Sequence, residues 1–112
     1  MIRVQVKAKQ GREWPASKGV FGSGIVLILV DYQNKADAER PDFYVLTPTD
    51  WVAVVTTALI KTGKVAKGDV KLDEEYVPTW KDGFVGMSLR PDNVAAYKEA
   101  WEKIAAVVAA SS

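Results

Sequence analysis

Four polar residues alternate along one short stretch near the start of the chain: Arg3, Gln5, Lys7 and Lys9, separated by Val4, Val6 and Ala8. Side chains alternate across a strand, so this spacing puts Arg3, Gln5, Lys7 and Lys9 on one face and Ile2, Val4, Val6 and Ala8 on the other. The apolar face is expected to be buried. The polar face is either a solvated outer surface or a row that meets phosphate groups. Composition excludes much other chemistry. With no histidine and no cysteine, the chain has no Ser-His or Cys-His nucleophile, no thiolate and no disulfide, and most zinc sites are ruled out. Gly22-Ser23-Gly24 resembles a phosphate-cradling loop, but the lysine and helix such a loop requires do not follow, so it reads as a turn.

The element that must position this strand is Ile25-Val26-Leu27-Ile28-Leu29-Val30, an unbroken aliphatic run entered through Gly24 and left through Asp31-Tyr32. Its length suits a strand, and its lack of alternation means that both faces are covered, which places it centrally in a sheet. Between the two strands lies Gln10 to Ser23, a long connection with Trp14-Pro15 at its middle. Gln33 to Pro41 reads as a charged surface loop, and Asp42 to Leu46 as a further short strand pairing as a hairpin. Thr47-Pro48-Thr49-Asp50 is a helix start, with Thr47 as N-cap, Pro48 at the first helical position and Asp50 suited to the dipole. That helix is expected to run to about Thr62, stop at Gly63, and lay Trp51, Val54, Val55, Ala58 and Leu59 on the sheet. Lys64 to Tyr76 shows no clear period. Tyr76 to Trp80 and Phe84 to Leu89 flank Lys81-Asp82-Gly83 as a hairpin, with Pro78 confining the first arm to an edge. A final helix is expected from Pro91-Asp92 to about Ala109, with Val94, Tyr97, Trp101, Ile104 and Val108 on its buried face.

These elements predict a single α/β (α+β) domain over residues 1–112. It has a small mixed β-sheet of about four to five strands and two helices, and is large enough for a core without staples. Hydrophobic residues at 48% and four tryptophans exclude a disordered chain. The net charge of +1 leaves nucleic acid open as a partner only through local clustering. With no signal-peptide pattern and no membrane-length apolar run, cytoplasmic residence without membrane attachment is the default expectation.

The order of marks along the chain has a further likeness. Val4-Gln5-Val6-Lys7, Trp14-Pro15, a strand ending Val30-Asp31, and Pro41-Asp42-Phe43-Tyr44-Val45-Leu46 before a helix together resemble the PD-(D/E)XK nuclease-like superfamily. Within it the likeness is to small bacterial domains, and Tyr97-Lys98-Glu99-Ala100-Trp101 looks like their closing helix. The resemblance implies a restriction-endonuclease-like core lacking its first elements. In active members an acid on an earlier strand and the acid of an E-x-K strand hold Mg²⁺, while the lysine helps activate the attacking water. Gln5 falls at the position of that glutamate and Lys7 at that of the lysine, so these are the catalytic candidates. Arg3 and Lys9 are then the phosphate-binding candidates. Gln5 is also a candidate metal ligand, and Asp31, or an acid from a second copy, would replace the missing aspartate.

On this reading the favoured function is a catalytically inactive, nuclease-derived binding or interaction module. The alternatives are an endodeoxyribonuclease that uses Mg²⁺ and is completed by dimerisation, and a small-ligand or protein-binding module that does not touch nucleic acid. DNA is a possible partner. The strand at Ile2 to Lys9 should have a free edge, for which a homodimer is the simplest cover.

Overall fold

The computed structural model describes residues 2–111, the side chain of Ser111 excepted. The elements in chain order are β1 (Arg3–Lys9), β2 (Trp14–Ser17), β3 (Ile25–Asp31), β4 (Asp42–Leu46), α1 (Pro48–Val55), β5 (Val70–Leu72), β6 (Pro78–Trp80), β7 (Met87–Leu89), a 3-10 helix (Pro91–Tyr97) and α2 (Glu102–Ser111). Helix α1 continues as one π-helical turn, Thr56–Ile60.

The aliphatic run forms the central strand of a three-stranded sheet in the order β1-β3-β4, parallel to β1 and antiparallel to β4. Both faces of β3 are covered, as its composition requires. Ile25, Leu27 and Leu29 enter the main core with Trp14, Tyr44, Leu46, Trp51, Val55 and Leu59. Val26 and Ile28 face the other way, toward Val45, Ala100 and the α2 residues Ile104 and Val107. Helix α1 starts with a full capping box: Thr47 Oγ1 accepts from the Asp50 amide, and the Asp50 carboxylate accepts from the Thr47 amide. Trp51, Val54 and Val55 are buried as its stripe predicts.

The single sheet with two helices is not what forms. Among the described residues there are three separate sheets, of three, two and two strands, and three helices. Two local causes account for this. Gly86 has φ +105 and lies so close to the backbone of Ala16 and Ser17 that an added Cβ would meet it at 3.0 Å. There the chain leaves the turn over Lys81-Asp82-Gly83, which does form, so that β7 pairs with β2 while β6 pairs with β5. The long terminal helix is likewise interrupted. Lys98 is extended and Glu99 has φ +54; Tyr44 bridges to Lys98, and the Glu99 amide donates to the Phe43 carbonyl. The open edge of β4 captures these two residues, so a 3-10 helix ends before them and α2 begins after them. In consequence Trp101 is 38% exposed rather than buried on β3, and its ring lies 5.3 Å from that of Phe43.

Strand β1 also departs from its alternation. Its register pairs Val4 with Val26 and Val6 with Ile28, so the valines share the α2 face, yet they are 48% and 65% exposed. Helix α2 covers β3 and β4 and stops short of β1. On the opposite face Lys9 is buried, because the connection after β1 folds back over it. Among the described residues no helix is long and apolar enough to cross a membrane.

Candidate functional site

Arg3, Gln5, Lys7 and Lys9 share one face of β1, in register with Ile25, Leu27, Leu29 and Asp31 of β3. The face then divides into two halves with different chemistry.

At its end, Lys9 is a structural residue. Its ammonium donates to Asp31 Oδ1 at 2.7 Å, to the Gly11 carbonyl at 2.9 Å and to Gln33 Oε1 at 3.3 Å. It also lies 4.9 Å from the centre of the Trp14 ring. A lysine has three N–H donors, and these three acceptors use them all. Asp31 is matched as closely, since Oδ1 also accepts from the Gln33 amide at 2.8 Å. Both side chains are buried, so the pair ties β1, β3 and the two connections that leave them.

The other half is open. Gln5 and Lys7 line a cleft of about 600 Å³ between β1 and the loop that follows β2. Lys18, Ser17 and Phe21 form its far wall, and Leu27 its floor. The Lys7 ammonium donates to the Pro15 carbonyl at 2.7 Å. Partial burial pushes the Lys7 pKa below the ordinary lysine value, and repulsion from Lys18 pushes it the same way. Arg3 stands beside the cleft, its guanidinium lying over Gly22, while its amide donates to the Gly24 carbonyl at 2.6 Å. Among the described residues no carboxylate lines the cleft. Two lysines and a nearby arginine around an acid-free hollow favour an anion there.

The structure therefore gathers Arg3, Gln5 and Lys7 and separates Lys9 and Asp31 from them. It adds Lys18 and Phe21, which no local pattern marks. Lys18 lies in an irregular loop and reaches Lys7 only because Ala16, at φ +50, and Gly19, at φ +93, turn the chain back toward β1. The length of that loop was the one signal in the sequence that pointed there.

These residues do not fit Mg²⁺. Gln5 offers a neutral amide oxygen, whereas the ion prefers carboxylates and water. Asp31 is paired with Lys9, and its register position lies four residues along the sheet from that of Gln5, roughly 13 Å at strand rise. Among the described residues no three His, Cys, Asp or Glu side chains gather as a metal-ion group.

Comparison of the chain with protein-family models, curated proteins and solved structures finds no match.

Proposed function

We propose that this chain is a binding module, related to PD-(D/E)XK nucleases, that holds an anionic partner against β1 without hydrolysing it. One observation carries the reading: Lys7 and Lys18, with Arg3 beside them, converge on a cleft that carries no acid and has the neutral Gln5 in its wall. Hydrolysis of a phosphodiester by the ancestral route needs an acidic ligand set beside the lysine. Binding an anion needs only the cations and a hollow that lowers the local dielectric.

Calorimetric titration with inorganic pyrophosphate at low ionic strength tests this. Heat of binding is expected that declines steeply as salt is added, and that is lost in the double variant Lys7→Gln/Lys18→Gln. A companion assay incubates supercoiled DNA with the protein in Mg²⁺ or Mn²⁺ and is expected to leave the DNA intact. Metal-dependent nicking abolished by Lys7→Ala would establish the endonuclease instead.

A further inference from the structure

Strand β1 is the edge of its sheet. Strand β3 takes one side, and among the described residues no backbone hydrogen bond reaches the other. The edge is unprotected in two further ways. On the α2 face Val4 and Val6 are 48% and 65% exposed, in line with Val26 and Ile28, which Ile104 and Val107 cover. On the opposite face the cationic cleft opens, and Val6 lines it as well as Gln5 and Lys7. The cleft therefore reaches β1 along the stretch Gln5 to Lys7, beside the strand's unpaired edge.

We infer that the edge of β1 accepts an added strand from a protein partner, an extended segment in which acidic and apolar residues alternate. This names the partner of the anion site proposed above and rests on that reading. An added strand completes the hydrogen-bond ladder, and its side chains alternate with the same period as those of β1. Those on the cleft face meet Arg3, Lys7 and Lys18, so they are acidic. Those on the other face extend the Val4–Val6 row beside α2, so they are apolar. Other occupants match less of this surface. A second copy brings a β1 whose Arg3 and Lys7 meet no acid on that strand, Lys9 being paired with Asp31, so a β1–β1 pairing brings like charges together. Nucleic acid answers the cations, but supplies neither a peptide ladder nor a row of apolar side chains.

The test titrates the full chain with a capped peptide of alternating Glu and Val, a scrambled peptide of the same composition, an oligonucleotide, and inorganic pyrophosphate. The alternating peptide is expected to bind at least tenfold more tightly than the scrambled one and to slow hydrogen exchange along β1. Val4→Thr, which keeps the strand and lies outside the cleft, should weaken the alternating peptide about fourfold, the worth of one methyl group's burial, and leave pyrophosphate binding unchanged. Equal affinity for the two peptides would overturn the inference. So would tighter binding of the oligonucleotide, or a sedimentation dimer that the peptide does not dissociate. If pyrophosphate binds and the alternating peptide shows no preference, only the strand addition fails. If neither binds, the anion site itself is wrong.

Discussion

Lys7 and Lys9 stand two residues apart on one strand and one face, yet their surroundings give them opposite roles. Lys9 is enclosed with Asp31, and removing one member of a buried pair leaves the other charged and unpaired. Asp31→Ala is therefore expected to cost about 3–5 kcal/mol in urea melts. Lys7 is only partly buried and donates to the Pro15 carbonyl, so Lys7→Gln should cost about 1 kcal/mol, the usual worth of such a bond. A smaller loss at Asp31 than at Lys7 would reverse the assignment. Lys7 also sets a pH dependence. Its folded pKa lies below the ordinary lysine value, through burial first and Lys18 second. Folding therefore disfavours its charged form, and that penalty is lifted as pH rises through the folded pKa. At the proposed anion site the expectation runs the other way: affinity should be full below the folded pKa and decline as pH rises through it, earlier than for an unperturbed lysine. Affinity measured against pH should fall on that alkaline limb in the native protein, and Lys7→Gln should lack it. The alternation of β1 was legible in the sequence. Which of its faces is covered was not, because that depends on where α2 stops and where the connection after Lys9 folds.

At the scale of elements, the local signals that succeeded are those whose energetics are local. The apolar run Ile25 to Val30 demands cover on both faces, and Thr47 with Asp50 caps α1 through bonds that span one turn. The terminal helix failed for a non-local reason. Its periodic stripe through Tyr97 and Trp101 is real in the sequence, but β4 offers an open edge that captures Lys98 and Glu99 instead. The tryptophans should report this directly. Trp51, fully buried with its Nε1 donating to the Tyr76 carbonyl at 2.9 Å, should lose about 3–5 kcal/mol on truncation to Ala. Trp101→Ala should lose less, since 38% of that residue stays in water. Equal losses in chemical melts would mean that the long helix forms after all. Gly19 offers a sharper test of the loop that builds the cleft wall. It combines φ +93 with a backbone so close to the Trp51 ring that an added Cβ would overlap it. Gly19→Ala thus incurs both backbone strain and overpacking, and should cost about 3 kcal/mol or more. A variant as stable as the parent would contradict the placement of that loop.

Among the described residues the molecule is built from three small sheets, with the well-covered strand β3 at the centre of the three-stranded one. Its order of strand marks suggested a single nuclease-like sheet, but the pairing of β7 with β2 depends on a close approach at Gly86 that no periodicity encodes. The same folding back of the chain brings Lys18 to Lys7 and makes a cleft from two segments that are separate in the sequence. The central claim is that this cleft is where an anion binds. The most direct test is an amide chemical-shift map of the uniformly labelled protein during titration with inorganic pyrophosphate. The predicted result is saturable shifts concentrated in Gln5 to Lys7 and Ser17 to Phe21, absent in Lys7→Gln/Lys18→Gln, with the Lys9 and Asp31 amides nearly still. Shifts centred on another surface, or unchanged in the double variant, would contradict it.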